Sequence, residues 1–176
     1  MNYFEDCQQI KTEIESSGLL RKVKEAFSGN IVPFANGGSV NLYRIGNLES
    51  GHHIALRLFK LKGEGQWELP QQKRLMEYYC QHAEALNEDG YRAPLFTIGV
   101  LDPKRAGVIT EDLTKGGAVN LEHDPNFPYG WIRERGKDIK IFIDIDYWFQ
   151  GSSSYPYQGI IIENPKYFSP GKFIQL

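Results

Sequence analysis

Between Ile31 and Lys60, apolar and polar residues alternate, and two tight turns cut the alternation. The first turn is Ala35-Asn36-Gly37-Gly38-Ser39 and the second is Ser50-Gly51. Period-two alternation places successive side chains on opposite faces, which suits a pleated strand with one face buried. Turns this short join antiparallel neighbours, because a parallel pair needs a crossover of a dozen or more residues. The pattern predicts three consecutive antiparallel strands, over 31–34, 40–45 and 53–60.

The next segment changes period. Pro70 opens a helix predicted from about Gln71 to Asn87, with Leu75, Tyr79, His82 or Ala83, and Leu86 on one face. Asp89-Gly90 stops it. Two further strands follow, Leu95–Leu101 and Ala106–Thr110, joined by Asp102-Pro103-Lys104. Upstream, Cys7, Ile10 and Ile14, then Leu20, Val23 and Phe27, predict two short helices, the second capped by Ser16 or Ser17. Residues 118–137 read as loop, Ile139–Ile145 as a strand, and Gly159–Ile162 as a last short strand. The reading is a single α+β domain over residues 1–176: N-terminal helices (1–29), an antiparallel five-stranded sheet with one main packed helix (30–117), and a small aromatic-rich C-terminal β segment (118–176).

Composition narrows the function. Twenty Lys and Arg against 22 Asp and Glu leave a net charge of -2, which argues against a dedicated nucleic-acid binder. The acidic start, Met1-Asn2-Tyr3-Phe4-Glu5-Asp6, lacks the features of a signal peptide, and no apolar run approaches a membrane span. Cys7 and Cys80 form no disulfide framework, so a reducing cytoplasm is the expected setting. Aromatic residues make up 13 % of the chain, and eight of the 23 lie in the last 30 residues. So aromatic a tail is expected to pack, on its own domain or on a protein partner, including a second copy. His52-His53 has no third ligand at metal spacing, and no H-E-x-x-H, G-x-S-x-G or Walker A lysine occurs.

Three strands, a helix and two strands resembles the N-terminal lobe of protein kinases and of their aminoglycoside-phosphotransferase relatives. Gly37, Gly38 and Ser39, followed by Val40, resemble a shortened glycine-rich loop, which in that family covers nucleotide phosphates. Ile54-Ala55-Leu56-Arg57 resembles the family's V-A-x-K strand, with Arg57 in the lysine position. The resemblance gives Ala55 the adenine-facing role and Arg57 the phosphate-facing role. Glu77, 20 residues further on, falls near the family's helix glutamate, whose task is to pair with the strand cation. Thr110-Glu111-Asp112-Leu113 resembles the hinge, whose backbone holds adenine, here through Glu111 and Leu113.

Downstream, Ile143-Asp144-Ile145-Asp146 resembles the metal-binding strand end, which implies Asp144 and Asp146 as ligands of Mg²⁺ with ATP. His123-Asp124 is the nearest match to the catalytic loop, with Asp124 as base, but Tyr129 stands where the family has Asn. After Gly117 only 59 residues remain, too few for the family's helical lobe. The resemblance therefore implies a pseudokinase-like binding or regulatory module. The alternatives are a Mg-ATP phosphotransferase with a minimal second lobe and an unrelated α+β interaction domain.

Overall fold

The computed structural model describes residues 3–36, 40–60, 68–88, 90–115, 129–142 and 173–176. Helices α1 (Tyr3–Glu15) and α2 (Leu19–Phe27) precede strands β1 (Ala35–Asn36), β2 (Val40–Asn47) and β3 (His53–Phe59). Helix α3 (Leu69–Glu88) leads to β4 (Thr97–Leu101) and β5 (Ala106–Glu111), then to β6 (Tyr129–Glu134), β7 (Lys137–Phe142) and β8 (Phe173–Gln175). The main sheet has six strands in the order β1-β2-β3-β5-β4-β8, antiparallel except for the parallel β4–β8 pair. Strands β6 and β7 form a separate two-stranded sheet.

The alternation along β3 sorts its side chains between two cores. Ile54, Leu56 and Leu58 join Tyr43 and Ile45 of β2 against Ile10 and Ile14 of α1 and Val23, Ala26 and Phe27 of α2. Phe59 faces the other way, with Val108 and Ala106 of β5, against Leu75, Met76, Tyr79 and Ala83 of α3. The fold is thus three layers: two short helices, a sheet, and one long helix. Burying alternate residues on both faces explains why β3 is rich in large apolar side chains.

Specific polar contacts seat the helices. The buried Gln72 amide of α3 donates to the Lys60 carbonyl at 2.9 Å and accepts from the Ala106 N–H at 3.0 Å. One side chain therefore ties the first turn of α3 to the end of β3 and the start of β5. At the C-terminus of α2, Arg105 donates to the Phe27 carbonyl at 2.5 Å, a cation placed where the helix dipole favours it.

The predicted elements need four corrections. The first strand lies at Ala35–Asn36, in the stretch read as a turn, and not over 31–34, which contains Pro33. A proline lacks the N–H a ladder needs. The cap position of α2 is Gly18, with no side-chain cap, although the Ser17 hydroxyl accepts the Leu19 N–H at 3.3 Å. The stretch read as loop over 118–137 contains β6, which turns into β7 through Arg135 (φ 51°) and Gly136 (φ 74°). Two left-handed residues make the two-residue turn that matches strand twist. The five-stranded sheet becomes six-stranded, because β8 adds at the β4 edge. The strand expected at Gly159–Ile162 and the last residues of Ile139–Ile145 lie outside the described residues.

Candidate functional site

The residues that resemble a nucleotide site meet where β3 and β5 run together. Ala55 and Arg57 lie on the α3 side of the sheet, opposite in sense to Leu56. In the antiparallel register Ala55 faces Thr110, and Arg57 faces Val108 on one side and Leu42 on the other. The half-buried Arg57 guanidinium lies 5.8 Å from the centre of the Tyr79 ring of α3, a cation–π distance. The strand cation and the long helix are thereby brought together.

The helix glutamate lies on α3, the helix that packs on the Arg57 face of the sheet. Glu77 is half-buried, and desolvation raises its carboxyl above the ordinary value of 4.5, against the lowering pull of Arg74 and Lys73 on its own helix. The charges named around it are thus helical neighbours at three and four residues' distance.

The end of β5 carries the hinge-like residues. The Asp112 N–H donates to the His53 carbonyl at 2.8 Å. Antiparallel ladders alternate hydrogen-bonded and non-bonded pairs, so the adjacent Ile54–Glu111 pair is of the non-bonded kind. The Glu111 N–H and C=O therefore point away from β3. The Thr110 hydroxyl donates to the Glu111 carbonyl at 3.2 Å. Leu113, half-buried and past the strand end, makes no backbone hydrogen bond among the described residues.

Side chains on either side hold this segment in place. The Asp112 carboxylate is buried, at 4 % exposure, and accepts from Arg44 Nε at 3.2 Å. Its other oxygen accepts the Thr114 hydroxyl at 2.6 Å and the Thr114 and Lys115 N–H groups at 3.2 and 3.3 Å. The chain beyond β5 is turned by this one carboxylate. Arg44 also stacks over Phe34, 4.4 Å from the ring centre.

A second ionic group was not legible in the sequence. Arg92, in the stretch between α3 and β4, donates Nη1 to Glu111 at 2.8 Å and Nη2 to Glu134 of β6 at 2.6 Å. Its Nε reaches Glu134 at 2.9 Å, and a further N–H bonds the Ala93 carbonyl. Glu111 also accepts the Leu95 N–H at 2.9 Å. Burial works against the Arg92 charge, but hydrogen bonds and attraction from both glutamates outweigh it and hold its pKa above the ordinary guanidinium value. The tell-tale was Arg-Ala-Pro after a helix stop, which reads as an ordinary exposed turn.

Gly37, Gly38, Ser39, Asp124, Asp144 and Asp146 lie outside the described residues. Among the described residues no group of three His, Cys, Asp or Glu side chains is placed to hold a metal ion, and no helix is long and apolar enough to cross a membrane. Comparison with known protein families, with curated proteins and with solved structures finds no match to this chain.

Proposed function

We propose that this chain is a non-catalytic binding module with a kinase N-lobe-like arrangement, whose ligand edge is the end of β5. The observation that carries the reading is the placement of Ala55 opposite Thr110, one residue from Glu111 and three from Leu113, whose backbone makes no hydrogen bond among the described residues. A small residue beside a strand end, with the Leu113 backbone just past it, suits a flat heteroaromatic ring with a donor and an acceptor on one edge. Strand order and the packing of α3 on the Arg57 face support it. Arginine in the lysine position and Tyr129 in place of the catalytic-loop Asn favour binding over phosphoryl transfer.

The test is thermal denaturation with adenosine, ATP, and ATP with Mg²⁺. A ligand at 100 times its Kd stabilises by about 2.7 kcal/mol. Arg57→Ala should weaken ATP and spare adenosine. Leu113→Pro, which removes one N–H, should weaken both while circular dichroism stays native. If no nucleotide raises Tm at millimolar concentration, the nucleotide reading falls and a protein-interaction domain remains. Turnover of ATP by the pure chain would favour the phosphotransferase instead.

A further inference from the structure

The chain's last four residues behave structurally as a ligand of the sheet. Strand β8 lies parallel to β4, with Gly99 opposite Phe173, Val100 opposite Ile174 and Leu101 opposite Gln175. The Leu176 N–H and the Gln175 side-chain amide both donate to the Leu101 carbonyl, at 2.9 and 3.3 Å. Alternate side chains then enter opposite faces. Phe173 packs on the α3 side, while Ile174, at 3 % exposure, and Leu176 join the α1 side.

The seat for Phe173 is shaped for a ring. A Cβ on Gly99 would overlap Phe173 Cδ1 and stand 2.9 Å from Met76 Cγ. Real Cβ contacts essentially never come that close, so the ring fits because position 99 has no side chain. Backbone bonds along one edge combined with side-chain seats on both faces is the arrangement by which sheets capture extended segments.

We propose that the β4 edge is a strand-addition site, and that a second copy of this chain can fill it with its own Phe173–Leu176. The occupant is argued from the seated strand itself: a second copy carries the same four residues and meets the same contacts. Thirty residues separate the end of β7 from β8, so the same contacts can be made within one chain or between two. Exchange adds no new interface and is a low-cost route to a dimer. At low concentration a chain's own strand wins, because pairing within one chain does not depend on concentration and exchange between chains does.

The test uses the full chain carrying Phe173→Ala, whose own strand has lost its anchor, and a fluorescent peptide of residues 171–176, Gly-Lys-Phe-Ile-Gln-Leu. Saturable binding to this variant is expected, with at least about tenfold weaker binding to the wild-type chain, whose edge is already filled. A peptide with Ala for Phe should bind at least about tenfold more weakly. Mixing the Phe173→Ala chain with wild-type chain at high protein concentration should give a one-to-one complex by light scattering. A folded Phe173→Ala chain that binds neither peptide nor wild-type chain overturns the proposal. So does a variant that no longer folds, since the strand is then core and not a separable ligand.

Discussion

Arg92 and Glu111 form a part-buried ion pair, 2.8 Å between Nη1 and Oε1, and the same guanidinium holds Glu134 across from it. Arg92 belongs to the stretch before β4, Glu111 ends β5, and Glu134 ends β6. The group therefore ties the small two-stranded sheet to the main one. A lone two-stranded hairpin is at best marginally stable in water, and Ile132 and Ile141 belong to neither of the two main cores.

Replacing Arg92 by Ala should destabilise the chain by about 2–3 kcal/mol, because Glu111 is left shielded from water without its cation. The cost falls short of the value for a fully buried pair because Glu134 stays 39 % exposed. Arg92→Lys should recover less than half, since one ammonium cannot span two carboxylates with parallel bonds. Urea denaturation measures both. Amide exchange should rise in 129–142 in each variant, and an unchanged hairpin would show that Arg92 does not dock it.

Glu77 sets a pH dependence. Its folded pKa is raised by desolvation, so the folded state binds the proton more tightly than the unfolded state. Stability from this group is present below the unfolded value, near 4.5, and is lost as pH rises through the folded value. Glu77→Gln should therefore stabilise at pH 7, by under about 1 kcal/mol given the partial exposure, and the gain should vanish below pH 4. Denaturation at both pH values checks the sign.

Asp112 should divide its two roles between two substitutions. Asp112→Asn keeps an acceptor for the Thr114 hydroxyl and the two N–H groups and weakens the Arg44 contact, costing about 1 kcal/mol. Asp112→Ala loses both and strands those donors, costing about 2–3 kcal/mol. Equal losses in thermal denaturation would assign the whole effect to Arg44.

Gly99 and Phe173 should be coupled. Gly99→Ala places a methyl against the ring and should cost about 1–3 kcal/mol through overpacking. Adding Phe173→Ala removes the clash, so the double variant should be more stable than the sum of the single losses implies. Additive losses would mean the methyl meets Met76 rather than the ring.

Much of the main sheet was legible because its signals are local. Alternation along 40–45 and 53–60 marked both stretches as pleated strands, with successive side chains on opposite faces. The helical spacing of Leu75, Tyr79, Ala83 and Leu86 marked the buried side of α3. Strand β6 escaped because Pro125, Pro128 and Gly130 look like loop punctuation, and its pairing with β7 depends on a turn at Arg135-Gly136. Of the candidate site, Ala55, Arg57 and Thr110 were picked out by the resemblance, and the register sets Ala55 opposite Thr110 and Arg57 opposite Val108. The side-chain duties of Glu111 and Asp112, which steady the strand end, gave no such signal.

The sequence by itself determined periodicity: which stretches pleat, which coil, and which face of each turns inward. It could do so because a residue's face depends on neighbours two to four positions away. Tertiary structure decided the partners. Arg92 finds Glu134 across 42 residues, and Phe173 finds the bare backbone of Gly99 across 74. Nothing local distinguishes that arginine from an exposed one, or that glycine from a flexible one. What distinguishes them is the arrival of a distant side chain in the space the fold leaves open, a charge brought to a desolvated carboxylate and a ring brought to a missing Cβ.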